Sequence, residues 1–248
     1  MDKVLLEVCC GSADDVIEAY KAGADRVELN SDLFHGGLTP TVGSLKVAKE
    51  RTGMKIIAMI RPREGGFCYT DAEFDVCRCD AVSLLDAGAD GIVFGFLNAD
   101  GTVDKNRTKE IADIALIRGK EAVFHRAIDV VPDWKSALDE LISIGITRVL
   151  TSGQESDVMY GTDTVREMID YAAGRITILP GAGITLKNVK RIVSETGAKE
   201  IHVAAYRHLT DMSTSNNRSI YYGGCLYPSE ERYNIIDCDY IKGVRDEV

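Results

Sequence analysis

The chain has 248 residues, 45% apolar and 27% charged, a balance that supports a buried core without disulfide staples. Lys and Arg number 29 against 39 Asp and Glu, a net charge of −10, which argues against nucleic acid as a partner because duplex binding needs a basic stripe to displace counterions. No run approaches the ~18 apolar residues of a membrane span, and the Val4–Leu6 run behind Met1 is too short for an export signal, so no membrane partner and a cytoplasmic location are expected.

Strand-length apolar runs start near Val4, Asp25, Lys55, Gly91, Glu121, Thr147, Arg175 and Lys199. Each interval between them is long enough for a crossover helix. Trp134, Ala137, Leu138, Leu141 and Ile142 have helical spacing, and Asp133 is placed to cap that helix. A weak repeat accompanies the alternation. Ala22–Leu29 resembles Ala87–Phe94, and Ile144-Gly145 and Thr196-Gly197 open similar segments. Each glycine is placed to close a helix, where a positive φ costs little. An open doubly wound sheet would share this repeat, but eight βα units in about 250 residues predict a single (β/α)8 TIM barrel. The barrel core is expected over residues 1–205, with 206–248 as a C-terminal arm and last helix completing the same domain.

From Tyr206 the character changes. Ser213, Ser215, Asn216, Asn217, Gly223 and Gly224 alternate with Tyr221, Tyr222, Tyr227 and Tyr233, and an amphipathic piece runs from about Asp237 to Val248. This reads either as a long loop plus the eighth helix, or as an ordered arm that covers the barrel mouth or packs on another subunit, because structureless loops of ~30 residues are unusual in compact domains.

The repeat also sets the strand parity. Val27, Leu29, Ile92, Phe94, Val149, Ile201 and Val203 fit the layer beneath the helices. The opposite parity points inward. It carries Glu7, Cys9, Glu28, Asn30, Met59, Arg61, Val93, Gly95, Val123, His125, Leu150, Ser152, His202 and Ala204. The polar members fall at the C-terminal ends of their strands, the face on which barrel enzymes carry their chemistry. Two carboxylates, a guanidinium and two imidazoles would meet in one mouth, either neutralising one another or at work. Glu7 and Glu28 would form a general acid and base pair, their affinities for protons pushed apart by proximity. His125 would shuttle protons or bind a metal, and Arg61 would clamp a carboxylate or phosphate, or serve as counter-ion to a glutamate.

Pro180-Gly181-Ala182-Gly183-Ile184 follows the seventh strand and precedes a helix expected near Thr185. Gly181 and Gly183 would bring backbone amides to an anion at that helix start, or simply make a tight turn. Thr151-Ser152-Gly153-Gln154 ends the sixth strand and would add hydroxyl and amide donors. With Ser152, His202 and Arg126 complete the expected substrate-binding set. Gly36-Gly37-Leu38-Thr39-Pro40 and Arg63-Glu64-Gly65-Gly66 are glycine-rich loops that would serve as lids or long turns.

The seven cysteines, Cys9, Cys10, Cys68, Cys77, Cys79, Cys225 and Cys238, are odd in number and include no C-x-x-C pair, so free thiols in a reducing compartment are expected. Several segments together resemble the CutC family, named for copper homeostasis. They are Glu7-Val8-Cys9, Gly23–Leu29, Gly36–Pro40, Met59–Arg63, Phe124–Ala127, Leu150–Gln154 and Pro180–Ile184. The resemblance implies a cytoplasmic (β/α)8 barrel that assembles as a homodimer or homotetramer, with copper as the implied metal and Cys9 as its ligand. Many members carry a cysteine after the Glu-Leu of the second strand, where this chain has Asn30. Loss of one thiolate of a facing pair weakens a Cu(I) site. Two further departures are Glu64-Gly65-Gly66 in place of Gly-Gly-Asp, and Ala204-Ala205-Tyr206-Arg207 in place of a Ser-Ala-Arg pattern.

Two functions are therefore expected as alternatives. One is an enzyme of lyase, isomerase or hydrolase type acting on a small anionic or sugar-like molecule, which the residues favour. The other is a non-catalytic copper-binding protein.

Overall fold

Residues 3–223 and 230–248 are described by the computed structural model; Met1, Gly224, Cys225 and Tyr227, which entered the expectations above, lie outside them. Strands and helices alternate as β1 (Leu5–Cys10), α1 (Ala13–Lys21), β2 (Arg26–Leu29), α2 (Val42–Thr52), β3 (Ile56–Met59), α3 (Asp71–Asp86), β4 (Gly91–Phe94) and α4 (Lys105–Leu116). They continue as β5 (Glu121–Phe124), α5 (Trp134–Ile144), β6 (Arg148–Thr151), α6 (Thr162–Ala172), β7 (Thr177–Pro180), α7 (Val189–Thr196) and β8 (Glu200–Val203). All eight strands are parallel, in the order β7-β6-β5-β4-β3-β2-β1-β8. β7 also lies against β8, so the sheet is a nearly closed TIM barrel.

Local chemistry explains the boundaries. Side chains of Ser12, Thr41, Thr70, Asp104 and Asp133 accept backbone N–H groups at the starts of α1 to α5. Gly145 and Gly197 close α5 and α7 at φ 95° and 71°, where a side chain would be strained. The helix expected near Thr185 begins later, at Val189. Asn188 holds the intervening turn: its Oδ1 accepts from Thr185 N at 2.7 Å and its Nδ2 donates to Gly183 O at 2.8 Å.

The segment after the eighth strand is ordered differently from a loop. β9 (Tyr206–Thr210) and β10 (Arg232–Ile236) form an antiparallel hairpin, followed by α8 (Cys238–Glu247). The hairpin strands are mostly exposed and lack the apolar runs that reveal a buried strand in sequence. β10 packs on α1, where Ile236 N donates to Asp15 Oδ1 at 2.8 Å. Tyr206 Oη donates to the Cys9 carbonyl at 3.0 Å, tying the hairpin to the rim beside β1. α8 packs on α1 and α7, and its Arg245 donates to Val4 O at 2.9 Å and pairs with Asp25. None of the helices among the described residues is long and apolar enough to cross a membrane.

The inward parity holds. Ile57, Met59, Val93 and Val123 form an apolar cluster of their own, separate from the larger core beneath the helices. Charged side chains fill the layer at the N-terminal ends of the strands. Arg26 pairs with Glu7 and, at 2.7 Å, with Glu200; Arg148 pairs with Glu121 at 2.6 Å and approaches Glu200 and Glu7 at 3.7 and 3.9 Å. Lys55 also pairs with Glu121. The N-terminal half of the barrel is therefore filled by a network of ion pairs, in which each buried charge meets opposite ones.

Candidate functional site

Glu7 sits at the top of this network and faces two ways. Below it lie Arg26 and Arg148; above it, His202 Nδ1 lies 2.8 Å from Glu7 Oε1. Parallel pairing of β1 with β8 sets Glu7 beside His202, and pairing with β2 sets Cys9 beside Glu28. Cys9, Glu28 and His202 converge, with one ligand atom from each lying within 4.8 Å of the others. Asn30 Nδ2 donates to Glu28 Oε1 at 3.0 Å and lies 3.6 Å from Cys9 Sγ. The amide thus contacts both the sulfur and the carboxylate.

Burial is nearly complete for Glu7, Glu28, Asn30 and His202, whereas Cys9 is half-buried and neighbouring Ala204 is exposed. The sulfur is the accessible corner of the cluster. Electrostatics separate the two carboxylates. Burial alone would raise Glu7, but its hydrogen bond to His202 and the charges of Arg26 and Arg148 hold it well below the usual carboxylate range. Burial raises Glu28, helped by the Glu7 charge, and His202, Asn30 and Arg148 offset only part of that. Burial would lower His202, yet its contact with Cys9 and the carboxylates of Glu28 and Glu7 raise it well above the ordinary histidine value. The imidazole is thus held charged against an anionic Glu7.

Arg61 and His125 sit apart from this cluster, on the β3 and β5 side of the mouth. Arg61 Nη1 donates to His35 O at 3.0 Å and Gly37 O at 2.9 Å, and Nη2 donates to Gly65 O at 3.0 Å. The guanidinium therefore ties together the two glycine-rich loops, and its forked end is occupied by carbonyls. His125 Nδ1 accepts from Ala127 N at 3.1 Å. Its ring packs over Gly95, where any Cβ would collide with it, and faces the Phe67 ring at 4.7 Å. Burial, followed by the charge of Arg61, lowers His125 to about 3, so it is neutral at physiological pH.

Ser152 and Arg126 belong to a third group, gathered around Asp129. The Asp129 carboxylate accepts from Thr151 Oγ1 at 2.5 Å, Ser152 Oγ at 2.9 Å, Gln154 N at 3.2 Å and Arg126 Nε at 2.8 Å. Arg126 also donates to Ser152 Oγ at 2.7 Å. The donors expected for a ligand thus surround a carboxylate of the chain itself. The glycine loop behaves alike. Gly181 N donates to Thr151 O at 2.9 Å, and a Cβ at Gly181 would lie 2.7 Å from Leu150 Cδ1 and 3.1 Å from His202 Cβ, so this glycine makes room for both side chains. Gly183, at φ 85°, is packed directly against the Asp157 carboxylate.

Sequence reasoning missed Arg26, Glu121, Arg148 and Glu200. The signal was available, because each lies two positions before an inward residue already identified (Glu28, Val123, Leu150 and His202) and shares its face. Asp129 and Asp157 had no such signal, since Asp129 lies on the short 3-10 helix Arg126–Val130 and Asp157 on a loop, both outside the strands.

The family model for "CutC family" matches residues 4–207. A CutC family protein of Treponema denticola is 52% identical over 239 residues, covering 96% of each chain. The human copper homeostasis protein cutC homolog is 39% identical over 238 residues, covering 96% of this chain and 86% of its own. The crystal structure of a CutC from Streptococcus agalactiae superposes with a TM-score of 0.76 at 32% identity, covering 80% of this chain and 97% of that one. N-(5'-phosphoribosyl)anthranilate isomerase from Pyrococcus furiosus gives a TM-score of 0.60 at 13% identity, covering 98% of each chain, a likeness of fold alone.

Proposed function

The chain belongs to the CutC family, and from that premise we propose that its barrel mouth binds a soft or borderline metal ion, copper by the name its relatives carry. The observation that carries this reading is the convergence of Cys9, Glu28 and His202 within 4.8 Å. The donor set suits such an ion: one sulfur, one imidazole nitrogen and one carboxylate. Glu7 engages His202 Nδ1, so Nε2 would become the ligating nitrogen once an incoming ion displaced its proton, with Glu7 as the outer-shell carboxylate of a metal-bound histidine. The metal-type donors of Cys9, Glu28 and His202 gather on this side of the mouth, whereas the glycine loop and Arg126, the expected anion donors, are already met by Asp157 and Asp129. A cation is therefore favoured over an anion beside Cys9. The six free cysteines of the described residues accord with a cytoplasmic location.

The test is a titration of purified protein with Cu(I) against a chromophoric competing chelator. Stoichiometric binding is expected, abolished in Cys9→Ser and weakened in His202→Gln. Equal binding by wild type and Cys9→Ser would overturn the reading.

A second reading is acid–base catalysis on a small polar molecule. It is favoured by the opposite displacement of the two carboxylates, Glu7 held ionised and Glu28 raised toward a proton donor. Under it, Glu28→Gln would abolish turnover in protein to which no copper is added.

A further inference from the structure

We propose that Arg61 and His125 form a separate subsite for the carboxylate of a small organic acid, roofed by Phe67. The argument begins with charge. Arg61 is 7% exposed, and among the described residues no carboxylate lies within 4.0 Å of its guanidinium. Its three protein acceptors are neutral carbonyls, which satisfy hydrogen bonds without cancelling the charge. Elsewhere in the interior, Arg26 and Arg148 each meet two or more glutamates. Arg61 is the buried arginine that departs from this pattern.

Unspent donors accompany that charge. Arg61 Nε has no partner. Because His125 Nδ1 accepts the Ala127 amide, the neutral ring carries its proton on Nε2, and that atom is also buried without a partner. The neutral Tyr69 hydroxyl is close enough to the Arg61 guanidinium to interact with it, and it brings no anion to the site. Leaving a buried donor unmade is costly, so two such donors beside one uncompensated cation point to a bound acceptor.

Phe67 defines the site's roof. Its ring lies 4.7 Å from the His125 ring and 5.7 Å from the Arg61 guanidinium carbon. It is half-buried and follows the exposed Gly65 and Gly66, so a side-chain rotation would open the site without unfolding a strand. A monoanion matches one uncompensated positive charge, and two oxygens match donors on separate residues. Phosphate fits less well, because it carries up to two charges and the glycine loop that would cradle it is met by Asp157.

This inference does not rest on the metal reading, and its test is run in Cys9→Ser protein without added metal. Acetate, lactate and inorganic phosphate are titrated by calorimetry. Saturable binding of acetate or lactate is expected, at least about tenfold tighter than phosphate, and weakened at least about tenfold by Arg61→Met or His125→Phe. Phe67→Leu, at a loop position that leaves the strands intact, is expected to weaken it as well. A measurement on the otherwise unaltered fold guards against loss of structure in the variants: the His125 Nε2 proton resonance should shift on saturation with acetate. Absence of carboxylate binding, tighter binding of phosphate, or binding that leaves the His125 resonance unmoved would each overturn the proposal.

Discussion

His202 Nδ1 lies 2.8 Å from Glu7 Oε1, and Glu7 is also paired with Arg26 from the side chain below. One carboxylate therefore joins the charged floor of the barrel to the cup above it. Glu7→Gln would leave both Arg26 and His202 short of an anion in a buried setting. Removing one partner of a buried pair costs about 3–5 kcal/mol. Urea denaturation should show a loss of that size, and the His202 titration followed by NMR should move down toward the ordinary histidine value.

His125 gives the acid limb of the stability curve a defined sign. Its folded value of about 3 lies below the ordinary 6.5. Between those values the unfolded chain binds a proton that the folded one refuses, so stability falls as pH drops from 6.5 toward 3. One such proton gives a slope of about 1.4 kcal/mol per pH unit. His125→Gln should lower stability near neutrality but flatten this limb by up to that slope. Glu7, Glu28 and His202 titrate in both proteins, so denaturation of variant and wild type across pH 6.5 to 4 isolates the His125 contribution. An unchanged slope would mean that the imidazole is already solvated.

Asn30 faces Cys9 across the β1–β2 pair, with its Nδ2 3.6 Å from the sulfur. Asn30→Cys places a second thiolate at a distance suited to sharing an ion. Cu(I) affinity should rise at least about tenfold, because two soft donors replace a mixed set. Competition with a chelator reads this directly, and equal affinities would show that the two side chains cannot converge on one ion.

Gly183 and Asp157 permit a double-mutant cycle. Gly183→Ala sets a side chain at φ 85° and drives it into the Asp157 carboxylate. The left-handed strain alone costs about 1–3 kcal/mol, and the collision adds to it. In an Asp157→Ala background only the backbone cost remains, so the two substitutions should be less damaging together than the sum of each alone. Thermal denaturation of the four proteins measures the coupling.

Much of the architecture is legible in the amino-acid order. The eight strand starts lie within two residues of the expected positions, and the inward parity places Glu7, Cys9, Glu28 and His202 on one side as expected. Both follow from local rules: alternate residues of a strand point to opposite faces, and glycine closes helices at positive φ. The β9–β10 hairpin escaped because a two-stranded ribbon on the surface buries too little to leave an apolar pattern.

What the amino-acid order determined by itself was therefore which side chains enter the barrel, since that depends only on a period of two along each strand. Whom they meet there was decided by the closed sheet and its loops. Stagger between neighbouring strands set Glu7 against His202 and Arg26, made one glutamate a fixed anion and the other a reluctant one, and left Arg61 facing carbonyls rather than a carboxylate. Asp129 and Asp157 reach their donors from a short 3-10 helix and a loop outside the strands, where no repeat of two constrains direction, so only the folded chain could place those carboxylates.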